Sequence, residues 1–267
     1  MKIAIVGCGN MGMAFAKSFL QYDLVKKDDL LLIEKSSDRS ESLKAEKAGV
    51  VVETIGPHVG EVDLIILSVK PQDFSSVHES LRAVVQPNQV ILSIMAGIPI
   101  GQIQAKLAHP LVVRAMPNTP AMLGMGITGF TAAKEVDLTS LRRVENLINA
   151  TGRSIFLEDE AMLDAVTALS GSGPAYFYYV VKAMIEAGKQ MGFSDAVASL
   201  LVKQTMLGSY HLINNADKSL DELIKAVASK GGTTEAALRT FETGALSDTL
   251  ISGIKAAQVR STELSEG

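Results

Sequence analysis

Lys230-Gly231-Gly232-Thr233-Thr234 stands directly before an alanine-rich helical run, Glu235 to Glu242. Two adjacent glycines let backbone come close to a ligand, and the first amides of a helix have no internal partners. Such an end attracts a phosphate or a carboxylate. A second glycine-rich loop, Gly7-Cys8-Gly9-Asn10-Met11-Gly12, lies at the other end of the chain. One loop can hold a cofactor's pyrophosphate while the other holds a substrate's acid group. Taken alone, Gly231-Gly232 fits an ordinary helix-to-helix turn equally well, because glycine commonly ends helices.

The elements around the first loop give it a context. Ile3-Ala4-Ile5-Val6 is a short apolar run of the kind buried in a parallel sheet, and Met11 to Phe19 follows as an amphipathic helix. Strand, Gly-x-Gly-x-x-Gly and helix form the setting of a dinucleotide fingerprint. Gly7 makes the turn, Gly9 admits the pyrophosphate, and Gly12 permits close helix–strand packing. Asn10 and Met11 open the helix that would face the pyrophosphate. The next strand, Leu30 to Ile33, ends at Glu34, where an acid bonds the ribose 2′-hydroxyl of NAD. Lys35, Ser36, Ser37 and Arg39 crowd the same loop and suit the 2′-phosphate of NADP instead. Both cofactors stay open at this point.

Further strands, Val50–Glu53, Leu64–Val69, Val90–Ile94 and Leu111–Ala115, alternate with helices, the pattern of a doubly wound parallel sheet. Ligands of such sheets bind at the carboxyl ends of strands. Ser68-Val69-Lys70-Pro71, Met95-Ala96-Gly97 and Met116-Pro117-Asn118-Thr119-Pro120 lie at those ends. They make Ser68, Val69, Lys70, Pro71, Ala96 and Asn118 candidates for cofactor contact. Gly126–Ala133 and Ser154–Leu157 look like two more strands around a helix, Leu138–Ala150.

Composition narrows the remaining choices. A chain of 267 residues, 47% hydrophobic and 20% charged, can build a proper core. A net charge of −4 gives no footprint for nucleic acid. One cysteine, Cys8, excludes an internal disulfide and suits a reducing compartment. The four histidines, His58, His78, His109 and His211, lack metal-ligand spacing, so no metal is expected. The strand pattern begins at Lys2 without room for a signal peptide, and the uncharged stretches Ala83–Ala105 and Ala115–Ala133 are broken by proline, glycine, asparagine or glutamine. The expectation is a cytoplasmic protein without membrane spans.

After Leu157 the pattern turns helical. Glu160–Leu169 reads as one helix, interrupted by Ser170-Gly171-Ser172-Gly173, with Pro174 opening the next. Ala175 to Met191 is apolar on nearly every face, so protein must surround it. About a hundred residues are too few to do so alone, and a second subunit is expected to cover one side. Ser194, Ser219 and Ser247 are the expected N-caps of later helices. These observations divide the chain into a dinucleotide-binding domain, 1–158, and a helical substrate-binding and dimerisation domain, 159–267.

The assembled residues resemble the Δ1-pyrroline-5-carboxylate reductase family across essentially the whole chain. The resemblance rests on Val6–Gly12, Ser68–Pro71, Met116–Pro120, Leu169-Ser170-Gly171-Ser172-Gly173-Pro174-Ala175-Tyr176 and Gly231-Gly232-Thr233-Thr234. It implies a Rossmann domain followed by a helical dimerisation domain, in some members assembled as five dimers. It also implies reduction of pyrroline-5-carboxylate to L-proline by NADPH or NADH. By resemblance, backbone amides at Gly232, Thr233 and Thr234 hold the substrate carboxylate. The Thr234 hydroxyl then faces the imine nitrogen, and Ser172 lines the same pocket. Three positions depart from the family pattern: Lys230 replaces a usual proline, Ala226 an asparagine, and Glu34 an asparagine followed by arginine.

The implied chemistry asks little of the protein beyond placement, consistent with the lack of a histidine or carboxylate pair suited to proton transfer. One rival is a β-hydroxyacid dehydrogenase, which needs a helix-borne lysine such as Lys182 or Lys189. Another is a nucleotide-binding regulatory module without turnover, which has no use for two further small-residue loops.

Overall fold

The computed structural model describes residues 1–266. Short apolar runs fold into eight strands, the central ones covered on both faces and the edge strands β3 and β8 partly open. In chain order the first half is β1 (Ile3–Val6), α1 (Asn10–Gln21), β2 (Leu30–Ile33), α2 (Ser37–Ala45), β3 (Val50–Val52), β4 (Leu64–Leu67), α3 (Pro71–Arg82), β5 (Val90–Ser93), α4 (Ile100–Leu107), β6 (Val112–Met116), β7 (Gly126–Ala132), α5 (Leu138–Asn149) and β8 (Gly152–Phe156). They make one sheet of order β3-β2-β1-β4-β5-β6-β7-β8. The strands β1, β2, β4 and β5 are buried along their whole length. One core lies on the α1 side around Phe15, Phe19 and Phe130, and another under α3 and α4 around Phe74 and Leu107. The chain order reverses between β1 and β4, which puts the crevice of a doubly wound sheet at their carboxyl ends.

Two strands, β7 and β8, run opposite to the other six. β7 runs antiparallel to β6, with Ala115 opposite Phe130, while β8 returns parallel to β7. Pro117 to Met125, which links β6 to β7, is mostly a 3₁₀ turn at Thr119–Leu123. A parallel crossover needs about a dozen residues or more, so the chain must double back.

The helical half comprises α6 (Met162–Val166), α7 (Gly173–Gln190), α8 (Asp195–Asn215), α9 (Leu220–Val227), α10 (Thr233–Thr243) and α11 (Leu246–Glu266). The expected single helix Glu160–Leu169 is instead α6 followed by a π-helical turn, Thr167–Gly171. The Ser172 amide reaches Thr167 O at 2.8 Å, so Ser-Gly-Ser-Gly widens the helix without ending it. A Cβ at Gly171 would lie 2.7 Å from the Met116 methyl, so Met116 would have to move aside.

Two caps match the sequence expectation. Ser194 accepts from the Val197 amide, and Ser219 forms a full capping box with Glu222. Ser247 does not cap: α11 already begins at Leu246, directly after Ala245 with φ +51. Gly244 and Ala245 together make so tight a corner that the helix closes its first turn on Ala245 O through the Thr249 amide.

By internal packing the chain forms two compact units, Met1–Pro174 together with the stretch from Ala257 onward, and Ala175–Ala256. Within the second, α7 and α8 meet where a Cβ on Gly188 would lie 2.9 Å from that of Ala198. Ala198 is, among the described residues, the one apolar side chain of that unit that is fully buried. No helix among the described residues is long and apolar enough to cross a membrane.

Candidate active site

A cavity of about 510 Å³ opens at the carboxyl ends of β1, β2 and β4. Gly7, Gly9, Glu34, Lys35, Ser68, Val69 and Lys70 line it, so the structure brings together seven of the residues expected at the cofactor. The three glycines do different work. Gly7 has φ +94, and a Cβ there would lie 2.9 Å from the Ser68 carbonyl. A Cβ on Gly12 would run into the Gly7 carbonyl oxygen, so α1 packs on the turn only because both residues are bare. Gly9 meets nothing within 4 Å and forms the N-cap of α1 without any side-chain bond. Its open side and the uncapped amides behind it leave the helix end accessible to an anion.

Glu34 is fixed from both ends of its carboxylate. One oxygen accepts from the Cys8 amide at 3.2 Å and the other from the Ser36 amide at 3.0 Å. The acid therefore ties the end of β2 to the glycine loop. Cys8 itself is fully buried beside it. Burial, reinforced by the negative charge of Glu34, pushes its thiol up to about 12, so it fills space as a neutral group.

The other expected contacts stand around the cavity's edge or serve the scaffold. Asn10 is exposed at the start of α1, and Met11 packs against the core. Pro71 takes the first position of α3, where its missing amide costs nothing. Ala96 lies in the turn after β5 beside Gly97, which abuts Leu264 of α11. The Asn118 side chain is engaged by its own protein. It donates to Ser170 O at 3.2 Å and accepts from the Ile127 amide at 3.0 Å, bracing the π-helical turn that precedes Ser172.

Sequence reasoning missed one wall. Asp73, Ser76, Val77 and Ser80 of α3 face the cavity with Glu53, Thr54 and Ile55 after β3. The signal was present: those α3 positions follow at i, i+3, i+4 and i+7, one face of a helix.

In the second unit, Gly231 has φ +72 and Gly232 is the N-cap of α10. The Glu235 carboxylate accepts from the Gly231 amide, and the Gly232 amide donates to Ser229 O at 2.9 Å. These bonds order the loop although Lys230 stands where a proline is usual. Thr233 and Thr234 form the first turn of α10, with Thr234 half-buried. Lys189 is held by Glu186 at 2.9 Å, and that bond raises its pKa, the wrong direction for a general base. Among the described residues no cluster of three or more His, Cys, Asp or Glu can hold a metal ion.

Comparison with known proteins places this arrangement. Residues 160–264 match the family described as pyrroline-5-carboxylate reductase dimerisation, and residues 2–97 match NADP oxidoreductase coenzyme F420-dependent. A pyrroline-5-carboxylate reductase of Pseudomonas aeruginosa is 38% identical over 99% of this chain and 97% of its own length. The chain belongs to the pyrroline-5-carboxylate reductase family. Two solved reductases share the fold throughout. The Plasmodium falciparum protein, solved with NADP bound, superposes with a TM-score of 0.89 at 26% identity, covering 99% of this chain and 98% of its own. The Coxiella burnetii protein gives 0.88 at 30% identity over the same shares. The family's dimerisation region makes the reductase a homo-oligomer.

Proposed function

We propose that the protein reduces 1-pyrroline-5-carboxylate to L-proline with NADPH, or with NADH, as the reductant. The full-length match to a curated reductase at 38% identity carries this reading. The residues present fit a dinucleotide: an open glycine at an uncapped helix end, and a cavity closed on one side by a fixed acid. Bound there, the reduced nicotinamide supplies a hydride to the imine carbon. Gly7, Gly9 and the first amides of α1 hold the pyrophosphate, and Glu34, Lys35, Ser68, Val69 and Lys70 border the rest of the dinucleotide. Pro71, Ala96 and Asn118 hold the strand-end loops in shape.

The amides of Thr233 and Thr234 bind the substrate carboxylate at the positive end of α10, whereas the Gly232 amide, also expected there, is engaged by Ser229 O. Ser172, presented by the π-helical turn, is a further substrate-binding residue. Thr234 donates a hydrogen bond to the ring nitrogen, which arrives protonated or takes its proton from water. Residues 159–267 serve as substrate-binding and dimerisation domain, residues 1–158 as dinucleotide-binding domain. The enzyme works in the cytoplasm as a dimer or as a decamer of five dimers.

Thr234→Ala tests the assignment. Losing one neutral hydrogen bond costs about 0.5–1.5 kcal/mol, so turnover should fall by roughly tenfold. Loss of a general acid would cost about 10²–10⁴-fold. Steady-state rates on pyrroline-5-carboxylate decide between them, and no oxidation of either cofactor by the unaltered enzyme would sink the proposal.

A further inference from the structure

The cofactor cavity has an unusual charge arrangement at its β2 edge. Three basic side chains beside that edge each have a carboxylate of the protein within 4 Å. Lys35 pairs with Asp73 at 3.1 Å, Lys44 with Glu53 at 3.7 Å, and Arg39 with Glu46 at 3.9 Å. Arg39 and Glu46 both belong to α2 and its C-cap, and the Arg39 charge also reaches Cys8. Glu34, by contrast, is held in place by the Cys8 and Ser36 amides.

We infer that Glu34 is the cofactor-specificity determinant of this enzyme and selects a dinucleotide whose adenosine ribose is unphosphorylated, NADH over NADPH. A carboxylate locked at the end of β2 accepts from a ribose hydroxyl without first losing side-chain freedom. Against a 2′-phosphate it presents like charge, and the cations that could offset it would have to abandon their own partners. At Cys8 burial and then the Glu34 charge raise the thiol, and the Arg39 charge lowers it by less, so the acid outweighs the base at the glycine loop. Lys70 remains on the cavity, but at the end of β4, with β1 standing between it and β2. The inference rests on the reductase reading only for where the cofactor lies.

Binding is measured by calorimetry with adenosine 5′-monophosphate and with adenosine 2′,5′-bisphosphate, on the full chain and on Glu34→Gln. Glutamine removes the charge and keeps an acceptor oxygen for the Cys8 amide, giving up the bond to the exposed Ser36 amide. The unaltered enzyme should bind the monophosphate at least about tenfold more tightly, a difference of about 1.4 kcal/mol. In Glu34→Gln that preference should shrink by about tenfold or invert. The NADH/NADPH ratio of kcat/KM on pyrroline-5-carboxylate should move in parallel. Tighter binding of the bisphosphate by the unaltered chain, or a ratio that ignores the substitution, overturns the inference. Discrimination between the two nucleotides without turnover of either cofactor would leave it standing and reject the reductase reading instead.

Discussion

The sheet unit and the unit Ala175–Ala256 divide their apolar residues in opposite ways. In the first, Phe15, Phe19, Phe130 and whole strands are inaccessible to water. In the second, Phe177 is 67% exposed, Tyr179 76% and Leu200 68%. Large apolar surface of that extent marks a face that other protein covers. The sheet unit completes its core within one chain. The helical unit leaves its apolar surface uncovered within one chain, and it lies inside the family's dimerisation region.

Charge placed on the two surfaces breaks the comparison most sharply. Tyr179→Glu combined with Leu200→Glu buries two unpaired carboxylates in any intersubunit core, each with a desolvation cost of several kcal/mol. The assembly should dissociate and activity should fall below detection by sedimentation and by assay. Tyr22→Glu makes the matching change on the sheet unit, where Tyr22 is 55% exposed, and should leave both unaltered. A double variant that sediments and turns over normally would mean that this face is covered by nothing.

The same contrast explains what could be seen in the sequence. Gly7, Gly9 and Gly12 were legible because each solves a local backbone problem, and strand, turn and helix adjoin in the chain. Ser219 was legible for the same reason, its capping box lying within four residues. The spacing of Asp73, Ser76 and Ser80 puts them on one face of α3, but that this face meets the cavity depends on how α3 is laid against the sheet. β7 escaped because its direction is set by the short link from β6 and not by its own residues. Ser247 looked like a cap until Ala245 adopted a left-handed conformation and began the helix two residues early. That three basic side chains beside the β2 edge each have an acid within 4 Å is likewise a fact of the folded chain.

A second test concerns how firmly the end of α11 is held to the sheet unit. Asp164, 8% exposed on α6, accepts from Ser261 Oγ at 2.7 Å, Thr262 Oγ1 at 3.2 Å and Ser265 Oγ at 3.3 Å. The sequence separation near a hundred residues made this clamp invisible beforehand. Asp164→Ala leaves Ser261, itself buried, without its acceptor, and should cost about 1–3 kcal/mol in urea unfolding. Asp164→Asn retains an acceptor and should cost less. An unchanged midpoint would show that packing, including Leu264 against Gly97, holds the helix end unaided.

The effect smallest at neutral pH lies at Cys8, where it appears only as the pH turns alkaline. Its thiol is raised to about 12 in the fold, first by burial and then by Glu34, whereas in the unfolded chain it ionises near 9. Between those values the unfolded state releases a proton that the folded state retains. Stability therefore falls as pH rises, by up to about 1.4 kcal/mol per pH unit, and is fully present below pH 9. Lysines and tyrosines titrate in the same range, so only a difference between variants isolates the thiol. Cys8→Ala removes the group and should flatten the alkaline slope of the unfolding free energy relative to the unaltered chain. It also leaves a small void, which lowers stability by a similar amount at every pH. Parallel slopes between pH 9 and 11 would show that Cys8 ionises within the fold as readily as outside it, and that Glu34 exerts less field on the glycine loop than its bond to the Cys8 amide implies.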